Sequence, residues 1–212
     1  MNQYDFIAVE GVIGAGKTSL ARLLSERHNA RLVLEQFEEN PFLPDFYRDR
    51  ERYAFQTQLA FLASRFKQQE ALRNRDLFQE MVISDYLFEK DRIFARLNLS
   101  GDEMALYDSI YGIMNSIAAK ADLVVFIQSS VDRLMKNIKS RGRPYEKEIS
   151  RSYIEELNNA YNHFFYHYSR SPLLIINASE IDFVQDEQQL KYIEDQIFLE
   201  PIRSTTTHIT PR

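Results

Sequence analysis

The segment Gly11-Val12-Ile13-Gly14-Ala15-Gly16-Lys17-Thr18 places three of the chain's six glycines within eight residues. It fits the pattern G-x-x-x-x-G-K-[ST], directly after an apolar run and directly before a stretch of helical periodicity. Small residues let consecutive backbone N–H groups turn inward around phosphate oxygens. A helix opening near Lys17 adds the positive end of its dipole. Lys17 brings a full charge to the outer phosphates of a nucleoside triphosphate, and Thr18 offers a hydroxyl to Mg²⁺. The alternative is a plain tight turn between strand and helix.

Phosphate chemistry needs more than a cradle. A second acidic residue at the end of a neighbouring strand helps hold the metal, and Met81-Val82-Ile83-Ser84-Asp85 supplies one. Asp85 also suits a helix N-cap ahead of Tyr86-Leu87-Phe88. Arg141-Gly142-Arg143 offers two guanidinium forks for phosphate oxygens. This is the composition of a basic lid that closes over a donor and excludes water; read alone, the tripeptide is also an ordinary solvated loop. Gln58 and Arg65, two turns apart on a segment rich in Phe and Leu, lie on one helical face. They are polar residues suited to line a pocket on what is otherwise an amphipathic core helix. His163 and His167 stand at i and i+4, but no Glu follows the first, so a zinc-protease motif is absent. Packing of an aromatic helix is the reading preferred there. No Asn-Lys-x-Asp string reads guanine, and the chain is short for a motor or helicase. What remains is a small-molecule phosphotransferase.

These residues need a scaffold, and the sequence outlines it. Phe6–Val9, Leu32–Leu34, Met81–Ser84, Leu123–Ile127 and Leu173–Ile176 are short continuous apolar runs, as expected of strands covered on both faces. Helix-length segments at 17–28, 48–75, 102–119, 130–141, 150–168 and 186–198 separate or follow them. Alternation of this kind predicts an α/β fold with a five-stranded parallel sheet between two helical layers. One domain over residues 1–202 is expected, with a lid near 140–150 and a fraying tail over 203–212. Segment 102–119 is apolar enough to join two copies or to be buried within one.

The 212 residues carry a net charge of -5, with 44% hydrophobic and 27% charged residues, as in ordinary globular domains. An acidic balance argues against nucleic acid as a partner. No apolar run approaches the ~18 residues of a membrane span, and the N-terminus has no signal-peptide pattern. The absence of cysteine excludes disulfides and thiolate chemistry and fits the cytoplasm.

Taken in order and at their spacing, the motifs resemble the deoxynucleoside kinase family from about Tyr4 to Phe183, and within it the deoxyadenosine/deoxyguanosine kinases. Glu10 to Thr18 is similar to the family's E-G-N-I-x-x-G-K-[ST], with Val12 in place of Asn. The resemblance implies a catalytic carboxylate at Glu35, where Gln36 replaces the usual Pro. It further implies a sugar contact at Tyr47 and base contacts at Gln58, Arg65 and Asp91. Asp85 matches the acidic residue of the family's E-R-S signature. Arg141 and Arg143 match its lid arginines, Glu146 a lid glutamate that reaches the sugar 3′-hydroxyl, and Asp182-Phe183 the loop beside the donor base. One departure stands out: the arginine that follows the acidic residue is Tyr86 here. Lys90 and Arg92 are the nearest cations to replace it.

The implied reaction is transfer of the γ-phosphoryl group of ATP, with Mg²⁺, to the 5′-hydroxyl of a deoxynucleoside. A Gln amide both donates and accepts along one edge of adenine, and an Arg–Asp pair opposite a base edge accommodates guanine or cytosine as well; a purine is the expected acceptor. A homodimer is implied as well. A monophosphate kinase of the thymidylate kinase type is the closest alternative, and a non-catalytic nucleotide switch a more distant one.

Overall fold

The computed structural model describes residues 3–73, 81–199, 202 and 206–210. Its sheet has six parallel strands, β1 (Phe6–Gly11), β2 (Arg31–Val33), β3 (Val82–Ser84), β4 (Leu123–Gln128), β5 (Leu173–Asn177) and β6 (Thr206–Ile209), in the spatial order β2-β3-β1-β4-β5-β6. The central strands are buried along nearly their whole length, which explains their uninterrupted Val, Ile and Leu content. Among the described residues, eight α-helices flank the sheet: α1 (Lys17–Arg27), α2 (Leu43–Arg48), α3 (Arg50–Arg73), α4 (Asp91–Asn98), α5 (Gly101–Ile117), α6 (Val131–Arg141), α7 (Arg151–Tyr166) and α8 (Glu187–Phe198).

Two features correct the sequence reading. The sheet has six strands, not five, and the sixth lies in the tail expected to fray: Thr206–Ile209 pairs in parallel with Leu173–Ile176. Its Thr-rich sequence shows no apolar periodicity because it is an edge strand, and only Ile209 is buried. Two short helices, α2 and α4, were not expected. Six and eight residues are too few for a periodic pattern to stand out.

Chain order places the chemistry. From β1 the chain passes to β2 and β3 on one side and then to β4, β5 and β6 on the other. Beside β1 the order reverses, and the crevice at the carboxyl ends of the strands opens there. The glycine loop leaves β1 at this point. Glu35 lies two residues past β2, and Asp85 directly follows β3. Gly142, at φ 68° in the left-handed region, terminates α6 by donating its N–H to Ile138. The glycine of Arg-Gly-Arg is therefore the helix stop that swings Arg143 out of the helical path. The next residues, Pro144–Glu148, form a 3₁₀ turn that carries Glu146.

Candidate active site

Gly16 adopts φ 97°, and a Cβ there would meet the Phe183 ring at 2.9 Å, so both conformation and space require glycine. It opens α1 with no side-chain cap and no acidic residue in the first turn, which leaves the helix's first N–H groups for a ligand. The Lys17 ammonium is folded onto its own loop, donating to the carbonyls of Gly11 at 2.8 Å and Val12 at 3.2 Å. Desolvation lowers it to about 8, helped by repulsion from Lys90 and opposed by Glu10, Glu35 and Asp85.

Two clefts meet at this loop. One, of about 760 Å³, is walled by Lys17, Thr18, Glu35, Tyr47, Gln58, Arg65, Asp85, Lys90, Arg141, Arg143 and Glu146, among others. The other, of about 970 Å³, is bounded by Gly14, Ala15, Gly16, Arg133, Asn137, Arg141, Asp182 and Phe183. Arg141 borders both, so the lid stands where they join. Of the loop residues, Ile13 faces the first cleft, while Gly11 and Val12 serve through the carbonyls that hold Lys17.

The first cleft contains a chain of charges. The Glu35 Oε1 accepts from Arg65 Nε at 2.8 Å and from a second nitrogen of the same guanidinium. Its Oε2 accepts from Lys90 Nζ at 2.6 Å. Burial alone would push the carboxyl up, but Arg65 and Lys90 hold it well below the usual carboxylate range. Arg65 also grips Asp91, which sits behind it and does not line the cleft. Asp91, expected to contact the base, is thus separated from the cleft by Arg65. Burial pushes Asp91 up to about 6, against the pull of Arg65. Gln58 is 1% exposed and its Oε1 has no protein partner. Buried polar atoms are almost always satisfied, so an orphan in a cleft wall points to a ligand.

Asp85 is no helix cap. Its Oδ2 accepts from the Thr18 hydroxyl at 2.5 Å and its Oδ1 from the Glu35 N–H at 2.7 Å. Two hard oxygen donors thus lie side by side at the foot of the glycine loop. Among the described residues no group of three or more His, Cys, Asp or Glu surrounds a common point. A pair of oxygens that leaves other positions to water and phosphate suits Mg²⁺. On the lid, Glu146 is buried and accepts from Arg141 at 3.1 and 2.5 Å and from Arg143 at 3.5 Å. Tyr47 lies below it, its ring parallel to that of Tyr145 at 6.5 Å.

In the second cleft, Arg133 Nη2 donates to the Ile181 carbonyl at 3.1 Å and lies 3.2 Å from Asp182. Asn137 donates to the Gly14 carbonyl at 2.8 Å. Sequence reasoning passed over both. Their signal was present: 133, 137 and 141 repeat at i, i+4 and i+8, one face of α6. Glu10 was matched to the motif but given no role. It is wholly buried and accepts from the N–H groups of Gly11 at 3.1 Å and Leu87 at 2.6 Å, tying the glycine loop to the segment after β3. Burial pushes its carboxyl up. His163 on α7 and His167 at its C-cap are exposed, while α7 packs through Leu157, Tyr161 and Phe165.

A sequence profile of deoxynucleoside kinases matches residues 7–202. The chain belongs to the deoxynucleoside kinase family. It is 39% identical over 162 residues to the deoxyguanosine kinase of Bacillus subtilis, spanning 76% of this chain and 78% of that one. It is 35% identical over 195 residues to the deoxyadenosine kinase of Dictyostelium discoideum, spanning 89% and 77%. The fold superposes with a TM-score of 0.80 on deoxyadenosine kinase from M. mycoides, solved with the products dCMP and a flexible dCDP bound. The identity is 28%, with 91% of this chain and 98% of that one covered. Membership in this family sets aside the reading as a non-catalytic nucleotide switch. Among the described residues no helix is long and apolar enough to cross a membrane.

Proposed function

We propose that the protein transfers the γ-phosphoryl group of ATP to the 5′-hydroxyl of a deoxynucleoside, with deoxyadenosine and deoxyguanosine preferred. The observation that carries this reading is the Glu35 carboxylate, held ionised by Arg65 and Lys90 in a cleft that adjoins the phosphate loop. The names of the relatives in Bacillus and Dictyostelium support a purine acceptor.

The triphosphate lies along the glycine loop and the N-terminus of α1, with Lys17 leaving its loop carbonyls for the phosphates. Its base enters the second cleft beside Asp182 and Phe183. Thr18 and Asp85 would hold Mg²⁺, which neutralises charge between the outer phosphates when bound. The deoxynucleoside enters the first cleft, where Gln58 and Arg65 read the base. Tyr47 and Glu146 hold the 3′-hydroxyl and crowd the 2′ position. Glu35 accepts a hydrogen bond from the 5′-hydroxyl and takes its proton late. Its depressed proton affinity suits a loose transition state in which positioning and charge neutralisation dominate. Arg141 and Arg143 come down from the lid onto the transferring group.

We place this reaction in the cytoplasm and in a homodimer. The cysteine-free sequence supports the first. Helix α5 supports the second: it buries only Tyr107 and Tyr111 and leaves Leu106, Ile113 (73%) and Ile117 exposed, an apolar face of the kind that marks an interface. Ile113→Asp should convert the dimer to a monomer in light scattering. The reaction itself is tested by offering the four deoxynucleosides and their monophosphates with ATP and Mg²⁺. Phosphorylation of deoxyadenosine or deoxyguanosine is expected. Exclusive use of thymidine monophosphate would overturn the assignment.

A further inference from the structure

We propose that Lys90 is a catalytic residue whose ammonium binds an equatorial oxygen of the phosphoryl group in flight; this rests on the function proposed above. Lys90 ends the 3₁₀ turn Phe88–Lys90 after β3 and is 2% exposed, yet it forms part of the cleft wall with Lys17, Thr18, Glu35 and Asp85. Burying an ammonium is costly unless its donors are used. Among the described residues, Nζ has one hydrogen-bond partner, Glu35, at 2.6 Å. An ammonium carries three donors, so two remain.

Pairing with Glu35 does not account for Lys90. Arg65 already holds Glu35 Oε1 through two nitrogens. A second cation on the same carboxylate is surplus to neutralising it. Lys90 and Lys17 line the same cleft wall and repel one another, and the carboxylates that act on them, Glu10 and Glu35, are already engaged by Gly11 and Leu87 and by Arg65. A transferring phosphoryl group is the anion that this region receives. The neighbours offer no substitute. Tyr86, directly after Asp85, is fully buried, and its hydroxyl accepts from Gln69 at 3.3 Å. Arg92 is half-exposed, pairs with Asp108 at 2.9 Å and lines a different cleft.

Placing Lys90 between Glu35 and the donor also links charge to proton transfer. The 5′-oxygen forms its bond to the γ-phosphorus while the bond from that phosphorus to the bridging oxygen breaks. The bonding pair leaves with the nucleoside diphosphate, and the hydroxyl proton passes to Glu35. As charge grows on the equatorial oxygens, Lys90 divides its hydrogen bonds between them and Glu35. The carboxylate then gains proton affinity when the hydroxyl must release its proton.

The test compares wild type, Lys90→Met and the surface control Lys191→Met, which removes an exposed partner of Asp195 on α8. Wild-type transfer to deoxyadenosine is measured first; its absence would defeat the functional reading and this inference with it. Lys90→Met is expected to lower kcat by about 10²–10³-fold, the usual loss for one donor to developing charge, with KM for both substrates within about threefold. It should lose a similar factor in affinity for ADP, aluminium fluoride and deoxyadenosine bound together, a mimic of the phosphoryl group in flight. Affinity for ADP or deoxyadenosine alone should hold. If kcat is unchanged, or falls while the aluminium fluoride complex stays as tight, Lys90 does not touch the phosphoryl group. Should Lys90→Met not fold, Lys90→Cys gives the chain its sole thiol. Alkylation with 2-bromoethylamine then rebuilds the ammonium. Recovery of both turnover and aluminium fluoride affinity is expected, and recovery of the fold without them would overturn the proposal.

Discussion

Arg65 donates from Nε to Oε1 of Glu35 at 2.8 Å while the same guanidinium grips Asp91. One side chain on α3 therefore joins the wall proposed to read the acceptor base to the carboxylate proposed to receive its 5′-hydroxyl proton. A base that shifts Arg65 also shifts the charge beside Glu35, so recognition and turnover share a residue.

Removing that link should appear in the pH profile. Glu35 is proposed to work as a carboxylate, and Arg65 and Lys90 hold it well below the usual carboxylate range. Without Arg65, burial raises its proton affinity, so the active form is lost as pH falls through a higher value. Arg65→Met is therefore expected to move the acidic limb of kcat to higher pH than in wild type. Leaving Asp91 buried without its partner should also cost about 3–5 kcal/mol of stability, measurable by urea unfolding. An unaltered pH profile in a folded variant would show that Arg65 does not control Glu35.

Lys17 gives a limb on the other side. Burial and Lys90 lower it to about 8, and only the charged ammonium attracts the triphosphate. The free enzyme thus loses its competent form as pH rises through about 8. The profile of kcat/KM for ATP, which reports groups in the free enzyme, should fall above that pH. A profile flat to pH 10 would contradict the shift.

Most of these positions were legible because they are tied to local pattern. The glycine loop, Asp85 at a strand end and the paired arginines at the end of α6 each have a short-range signature. Burial order was not legible. The family resemblance gave Asp91 the same standing as Gln58 and Arg65, but only the packing of α4 against α3 shows that Asp91 sits behind Arg65. Tyr86 left a choice between Lys90 and Arg92 that sequence did not resolve. Two residues turn the chain far enough to send one inward to Glu35 and the other outward to Asp108. Glu10 was hidden because its partners are backbone N–H groups from two separate segments.

The loop at the second cleft yields a separable effect. Arg133 fixes Ile181 and Asp182, and through them the Phe183 ring that packs on Gly16. Arg133→Met should free this loop and raise KM for ATP about tenfold, the value of one charge-assisted hydrogen bond. KM for the deoxynucleoside should stay as it was, because Arg133 does not border the first cleft. Equal changes in both constants would mean that the arginine supports the fold at large.

The last prediction concerns β6. It pairs with β5 from Leu173 opposite Thr206 to Ile176 opposite Ile209. Leu173, Leu174, Ile175 and Ile176 are all buried, so without β6 they form an apolar sheet edge with unpaired backbone groups, a template for self-association. A chain ending at Ile202 keeps the hydrogen bond from the Ile202 N–H to the Tyr4 hydroxyl at 2.9 Å but loses the strand. Burial of Ile209 contributes about 1.5–3 kcal/mol, and each ladder hydrogen bond about 0.5–1.5 kcal/mol. The shortened chain should unfold at lower urea, with a loss of about 3–5 kcal/mol on that basis, and should aggregate on warming. Neither cleft is lined by β6, so turnover at low temperature should be near normal. An unchanged urea midpoint would mean that the strand covers the edge without stabilising it. A large loss of turnover in soluble, folded protein would mean that β6 reaches the site by a route its contacts do not indicate.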